Sequence, residues 1–327
     1  MGSRDAIVAG EASELAGEFL EASAAYTSAL GDHDPSVVAD AHFHLGRVNW
    51  RQAHFDDAAR EYEAARAIAL QHGLKELRAR VENGLGVVHH ARGEYTQAKA
   101  CYAIALELAG DDVQRGRVLL NLGAIENIEG NLDAARSYYA RSRAMSQQSG
   151  YTRGEAMALH NLGMLNADEG RWDDAEDAYN RCLQLLESFG DRQSIGHVLM
   201  NRTELHCGRE RYEEAIASAD LGLSIFSELG DEAGRGEALR WKGRALRLSG
   251  RYEEAERALH EAVRLAKRTQ GKLLEAESSL DLGLAWADRG DTTQSRRWLE
   301  RALELFDALG ASRDAEAVRV ALGGLPR

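Results

Sequence analysis

The chain has 327 residues, a net charge of −13, and 32 Gly against 2 Pro. The acidic charge argues against nucleic acid as a partner, because neutralising phosphates requires a basic surface. No apolar run reaches the ~18 residues that a membrane-spanning helix needs, and the start of the chain has no apolar signal core. Three widely spaced cysteines, Cys101, Cys182 and Cys207, fit neither a disulfide framework nor a metal site, and reduced cytoplasmic thiols are expected.

From the N-terminus onward, a Gly that usually follows Leu recurs at spacings of 37 to 40 residues. The marks are Gly46, Gly86, Gly123, Gly163, Gly243 and Gly283, with Thr203 at the one missing position. A second Gly follows seven residues later, and after it come an apolar residue, a small residue and a Tyr or Leu, as in Gly93, Tyr95, Ala98 and Tyr102. Residues 10–26 follow the same order. Such self-similarity is the signature of a repeat architecture.

Each repeat predicts two helices, A and B, because apolar residues recur at steps of three and four on both sides of the second Gly. The second Gly ends helix A, and acidic residues after it suit the first turn of helix B. The first Gly lies inside helix A, where it costs about 1 kcal/mol relative to Ala. We therefore expect it to allow close approach of helix B, with the aromatic residue filling the space beside it.

The last segment, residues 311–325, predicts a closing helix whose apolar residues are Ala315, Val318, Val320 and Leu322. One hairpin alone cannot bury its apolar stripe, so neighbouring repeats must stack and the end must be capped.

This pattern resembles the tetratricopeptide repeat in the extended form of LGN/Pins scaffolds, kinesin light chains and the sensor arrays of bacterial STAND signalling proteins. The period is mostly 40 residues rather than ~34, and the usual late Pro is absent. The resemblance implies an all-α fold, a right-handed superhelix (α-solenoid) of about eight helix-turn-helix repeats plus a C-terminal capping helix. We expect a single array over residues 1–327, with repeats near 3–38, 39–78, 79–115, 116–155, 156–195, 196–235, 236–275 and 276–310, and the capping helix at 311–325.

The resemblance also implies a concave groove that is lined by the A helices and binds peptide segments. Its groove positions place Asn121, Asn161 and Asn201 in one register. A side-chain amide both donates and accepts hydrogen bonds, so such a ladder can pair with the backbone of an extended peptide. The alternative is that these Asn bridge adjacent helices.

Other predicted groove residues surround the Asn ladder. Met157, Met164 and Met200 offer apolar contact, since Met suits adaptable binding surfaces, although Met also fills gaps between helices. His160 and Glu204 lie on the same predicted surface. The histidines have no convergent third ligand, so no metal site is expected.

Arginines of the groove are expected to hold acidic groups of a partner. Arg80 and Arg117 lie in the first half, and Arg240 and Arg244 flank Trp241 in the second, which favours a carboxylate fork with an aromatic wall. The alternative is that they are solvated or paired within the chain, for example with Glu237 at helical spacing. The repeat that has Thr203 in place of Gly allows two interpretations. It is a binding or bending site, or its sequence has drifted because the repeat tolerates the change.

The sequence carries no phosphate-binding loop, nucleophile elbow or dinucleotide fingerprint, so neither an enzyme nor a cofactor is expected. The leading hypothesis is a cytoplasmic protein–protein interaction scaffold that binds a peptide segment of a protein partner, without nucleic acid or membrane. One alternative is a ligand- or peptide-sensing segment of a larger signalling regulator of the STAND type. Another is a self-associating array that forms a homo-oligomer.

Overall fold

The structure is a computed structural model that describes residues 2–326. Over this range it contains seventeen α-helices and no strand. The first eight are α1 (Ser3–Ala16), α2 (Phe19–Ala29), α3 (Pro35–Arg51), α4 (Phe55–Gln71), α5 (Lys75–Ala91), α6 (Tyr95–Leu108), α7 (Asp112–Ile128) and α8 (Leu132–Gln148). The remaining nine are α9 (Thr152–Asp168), α10 (Trp172–Ser188), α11 (Arg192–Gly208), α12 (Tyr212–Glu228), α13 (Glu232–Leu248), α14 (Tyr252–Arg268), α15 (Lys272–Asp288), α16 (Thr292–Leu309) and α17 (Ser312–Gly323).

The 40-residue period has a simple structural origin. The odd-numbered helices up to α15 are the A helices, and the even-numbered ones are the B helices. Most have 17 residues and are joined by three-residue turns, and the single 37-residue spacing coincides with α6, which has only 14 residues. Helices α3 and α5 begin at Pro35 and Lys75, four residues before the expected repeat starts.

The helices form two compact units, Met1–Leu165 (unit 1) and Asn166–Arg327 (unit 2). In unit 1, α1 packs on α2, α3 on α4, α5 on α6 and α7 on α8, and each of the first three hairpins packs on the next. In unit 2, α11 packs on α12, α13 on α14 and α15 on α16, with α17 against α16. Each unit is thus a stack of helical hairpins, as in an α-solenoid.

The recurrent Gly of helix A lies against the ring or branched side chain of helix B. A Cβ atom on Gly46 would lie 2.7 Å from a ring carbon of Tyr62, and one on Gly86 would lie 2.4 Å from Tyr102. Real Cβ atoms do not approach so closely. The expectation that this Gly allows the two helices to approach is therefore confirmed.

The repeat that lacks the Gly mark carries a compensating exchange. The Gly–Tyr contacts join residues 16 apart, and in α11 and α12 the same register pairs Thr203 with Ala219. Both are fully buried, and the Thr203 hydroxyl donates to the Leu199 carbonyl at 2.8 Å. A larger residue on helix A thus stands in register with a smaller one on helix B.

The turns after the helices use the left-handed backbone conformation. Gly93, Gly170 and Gly250, each two residues after the end of an A helix, have φ of 74°, 71° and 81°. This agrees with the predicted role of the second Gly, because Gly adopts positive φ without a steric cost.

The closing helix α17 packs on α16 through one face. Ala315 and Val318 are fully buried, and they belong to a cluster with Phe306 of α16. Leu322 packs at the edge of this cluster. Val320, which was expected on the same face, is 69% exposed, because it lies two positions from Val318 and so points away from α16.

Candidate functional site

The A helices of unit 1 enclose a cavity of about 430 Å³. Most of its lining comes from α3, α5 and α7, which are the A helices of three successive hairpins, and B helices α4 and α6 contribute Tyr62 and Ala105. Aromatic and polar side chains share its wall: Phe43, Trp50, Tyr62, Arg80, Asn83 and Arg117. A concave site with apolar walls and a few polar groups is the usual form of a ligand-binding pocket.

Arg80 is held in place by two contacts at this cavity. Its Nη1 donates to Asp40 Oδ1 at 3.0 Å, and its Cζ lies 4.1 Å from the ring centroid of Phe43. Burial acts to raise the pKa of Asp40, but hydrogen bonds and charge from His44 and Arg80 hold it below its usual value. Asp40 is therefore ionised at neutral pH and joins α3 to α5 through Arg80.

Arg117 is held by an uncharged residue. Its Nη2 donates to the Tyr151 hydroxyl at 3.2 Å, and its Cζ lies 4.9 Å from the Tyr151 ring centroid. Tyr151 does not neutralise the guanidinium, so these contacts position its charge at the cavity without cancelling it.

Asn121, the first member of the predicted ladder, bridges two A helices. Its Nδ2 donates to Asn83 Oδ1 at 3.1 Å, which joins α7 to α5. This contact is of the kind that the bridging alternative describes. It also fixes the amide orientation of Asn83, whose own NH₂ group is a further donor at the cavity wall.

Two of the predicted residues of α9 are exposed. Met157 is 48% exposed and Met164 is 39% exposed. His160 and Asn161 are half-buried. The two methionines therefore lie on the protein surface.

In unit 2, the arginine of the predicted carboxylate fork already contacts acidic residues. Arg240 is 7% exposed. Its Nε lies 3.5 Å from Glu277 Oε2, and its Nη1 lies 3.6 Å from Asp281 Oδ2. These contacts join α13 to α15 in place of the predicted partner Glu237, because the carboxylates of the next repeat lie closer.

Trp241 and Met200 lie deeper than the sequence predicted. Trp241 is 7% exposed, and its ring is stacked against Arg240 at 4.4 Å and Arg244 at 5.3 Å from the centroid. Met200 is 1% exposed and packs where Gly222 leaves room, with its Cε at 2.2 Å from the position of an added Cβ. The expected surface position of Met200 is thereby corrected, since it fills the core between α11 and α12.

The other two predicted residues of this region lie nearer the surface. Glu204 is exposed and Asn201 is half-buried. The groups packed around the Glu204 carboxyl remove part of its hydration, which raises its pKa. Arg244 and Arg240 act in the opposite direction, and the charge of Asp168 adds to the rise. A carboxylate in this situation is better accommodated when a further cation is near.

Sequence reasoning missed the aromatic wall of the unit 1 cavity. Phe43, Trp50 and Tyr62 were not predicted as site residues, although a signal was present at Gly84. This Gly occupies the register of the Asn ladder, and a Cβ on it would lie 2.7 Å from the Tyr62 ring. The missing side chain therefore leaves the Tyr62 ring bare at this point of the cavity wall.

Within residues 2–326, no group of three or more His, Cys, Asp or Glu side chains is arranged to hold a metal ion. Burial raises the pKa of Cys101 and of Cys207 to about 11, so both are thiols at neutral pH. Over the same range, no helix combines the length and the apolar character needed to cross a bilayer.

Comparison with solved structures shows the fold. The chain is similar to BtubC (BKLC) from P. vanneervenii, with 19% identity and a TM-score of 0.59 over 67% of this chain and 92% of that one. It is similar to a Rap protein complexed with Competence and Sporulation Factor, with 13% identity and a TM-score of 0.65 over 99% and 95%. It is also similar to a STAND protein with a tetratricopeptide repeat sensor from Pyrococcus horikoshii, with 16% identity and a TM-score of 0.64 over 88% of this chain and 43% of that one.

A search of curated protein sequences gives no significant match. Comparison with sequence families, in contrast, identifies the repeat. Profiles of the tetratricopeptide repeat match residues 16–72, 77–148, 114–188, 154–228 and 234–308. These matches cover most of the chain and coincide with the stacked helical hairpins, so the chain belongs to the tetratricopeptide repeat family.

Proposed function

We propose that this protein is an interaction module, not an enzyme, and that it binds a peptide segment of a partner protein on the surface formed by its A helices. The observation that carries the proposal is the unit 1 cavity, where donors held by their own partners stand beside aromatic walls. The tetratricopeptide repeat is typically a scaffold family, which supports the same conclusion.

The cavity offers two kinds of contact to a peptide. Asn83, oriented by its hydrogen bond from the neighbouring Asn121, supplies an amide group that suits a peptide backbone, while Arg117 and the outer edge of Arg80 suit an acidic side chain. Aromatic walls would take an apolar side chain. A few such contacts must offset the ordering of the peptide, so we expect a dissociation constant in the micromolar range, about −8 kcal/mol.

The proposal extends to the other predicted residues that a ligand can reach. They are Met157, His160, Asn161, Met164, Asn201, Glu204 and Arg244. We also propose a cytoplasmic location, because buried thiols and an acidic net charge suit the cytoplasm. We further propose one array of eight repeats, because the hairpins keep one register along the chain.

A selection from a display library of random twelve-residue peptides tests this function. We expect the full chain to enrich a family of sequences that bind with micromolar dissociation constants, measured by fluorescence anisotropy. Replacing Asn83 and Arg117 together by Ala should weaken the peptides that bind unit 1 by about tenfold, since two hydrogen bonds are lost, one of them charge-assisted.

Arg60→Ala is the matched control, because Arg60 lies on B helix α4 with a side chain that is 77% exposed. It should leave the dissociation constants unchanged. The proposal is contradicted if no sequence is enriched over an unrelated helical protein. The site in unit 1 is contradicted if the Asn83/Arg117 variant selects and binds the same peptides equally well.

The similarity to the STAND sensor favours a second candidate, in which the peptide is a signal sensed by a larger regulator. The gene that encodes the chain tests this directly. A nucleotide-binding domain in the same reading frame would support the sensor, and an open reading frame without one would count against it.

A further inference from the structure

Unit 2 has a cavity of its own, with a different chemical character from that of unit 1. It measures about 590 Å³ and lies among the N-terminal parts of α11, α13 and α15 and the end of α16. Its wall contains the carboxylates of Asp231, Glu237 and Glu277 against one lysine, Lys272, and one histidine, His197. The charges therefore leave an excess of carboxylate.

These carboxylates differ in how well they are neutralised. Asp231 caps α13 and accepts a hydrogen bond from the Gly234 amide at 2.9 Å. The N-terminus of the helix thereby stabilises the charge of this carboxylate. Among the residues that the structure describes, Glu277 forms an ion pair only with Arg240, whose Nε lies 3.5 Å from Glu277 Oε2 and whose guanidinium also faces Asp281. Burial raises the pKa of the Glu277 carboxyl, and Arg240 acts against this rise. The negative charges of Asp281, Glu237 and Asp314 add to it.

Asp281, one turn further along α15, is a second carboxylate that faces the same Arg240 guanidinium. It is 4% exposed, and its Oδ2 accepts no hydrogen bond within residues 2–326. That oxygen lies 3.6 Å from Arg240 Nη1. One guanidinium thus serves two carboxylates at distances beyond a good hydrogen bond, and Glu237 lies close enough to Glu277 to add its charge.

Apolar side chains flank the acidic wall. Leu273 is 53% exposed and Leu309 is 41% exposed, and both line the cavity. Two large apolar side chains thus lie beside the acidic groups, where a ligand in the cavity can cover them. A ligand that complements this surface combines a cationic group with an apolar one.

We propose that the cavity of unit 2 binds a peptide segment in which an Arg or Lys side chain lies next to an apolar side chain. The cation meets Glu237 and Glu277, and the apolar side chain covers Leu273 and Leu309. This inference rests on the proposed function, and it adds that the two units differ in the charge they select. A purely acidic segment is repelled here, although the arginines of α13 had suggested the opposite.

Peptides enriched by the full chain provide the probes. We expect a subset with Arg or Lys beside Leu, Ile or Met, and changing that basic residue to Gln should weaken binding by about tenfold. Changing the protein by E237Q and E277Q should weaken the same peptides by a similar factor. When the altered peptide is tested against the E237Q/E277Q protein, the dissociation constant should rise by less than the product of the two separate factors. The reason is that both changes remove the same interaction.

Two further variants complete the test. Leu273→Ser removes an exposed apolar contact without touching the core, and it should weaken the same peptides severalfold. Asp177→Asn with Glu187→Gln is the matched control, since both residues are exposed on B helix α10, and it should have no effect.

The outcomes separate this inference from the proposed function. Peptides that bind with no preference for a basic residue, or that bind E237Q/E277Q as tightly as the unchanged chain, overturn the inference and leave the peptide-binding function standing. A chain that enriches no peptide at all overturns both.

Discussion

At the scale of single residues, three turns contain a side chain where equivalent turns have Gly. Ala53, Glu210 and Gln270 have φ of 60°, 60° and 57°, close to the values of Gly93 and Gly170. The left-handed conformation costs a residue with a Cβ roughly 1–2 kcal/mol. The repeat geometry therefore fixes the backbone at these turns even where the residue type does not favour it.

Glu210→Gly should stabilise the protein. The gain from relieved steric conflict is partly offset by the greater chain entropy of Gly when unfolded, so we expect the free energy of unfolding to rise by about 0.5–1 kcal/mol. Urea denaturation followed by circular dichroism measures this change. The reciprocal change, Gly250→Glu, should destabilise by about 1 kcal/mol, and equal stabilities of all three proteins would contradict the argument.

At the scale of the helical hairpin, the exchange between Thr203 and Ala219 makes a quantitative prediction. Thr203→Gly should leave a void, and Ala219→Tyr should overfill the space, so each alone should cost about 1–3 kcal/mol. The double variant restores the Gly–Tyr combination of the other hairpins. It should recover at least about 1 kcal/mol relative to the sum of the single changes.

Chemical denaturation of the four proteins measures this coupling. Additive costs within about 0.5 kcal/mol would show that the two positions do not share a packing space. Gly86 and Tyr102, which already have the Gly–Tyr combination, give the matched comparison, and reversing them to Thr and Ala together should be better tolerated than either change alone.

The hairpins are also where sequence and structure agree best. The helices were predictable, because burying one helical face places apolar residues three and four positions apart. The contacts of Gly46 with Tyr62 and of Gly86 with Tyr102 were also predictable, because each lies within one hairpin. The partners of Arg240 were not, because Glu277 and Asp281 come from the next repeat. Their distance from Arg240 depends on how α13 and α15 stack, which helical spacing within α13 does not determine.

The same reason explains the depth of the predicted site residues. The repeat pattern places Met200 on the A-helix surface by its register. Gly222, on the facing helix, leaves a space that the long Met side chain enters instead. A residue's register therefore predicted its face, whereas the size of its neighbours decided its burial.

At the scale of the whole molecule, each repeat is stabilised by its neighbours in the stack. The closing helix provides a clean pair of positions to test this, because Val318 is fully buried and Val320 is 69% exposed on the same helix. Val318→Ala should cost about 1.5–3 kcal/mol, since two buried carbon atoms are lost, and Val320→Ala should change stability by less than about 0.5 kcal/mol.

Hydrogen exchange measured by mass spectrometry locates the effect. Val318→Ala should accelerate exchange in α16 and α17 and leave α3 to α6 unchanged, since contacts in a solenoid extend only to adjacent repeats. Faster exchange throughout the chain would show instead that the array unfolds as one cooperative body.

The closing turns of the repeats in unit 2 have a consequence for how the gene can change. Gly190-Asp191 and Gly230-Asp231 end successive repeats with the same dipeptide, with a left-handed Gly and an Asp that caps the next helix. The compensating pair Thr203 and Ala219 lies wholly between them. An in-register exchange between the codons of the two turns would insert or remove residues 191–230, which form one complete 40-residue hairpin with both members of this pair.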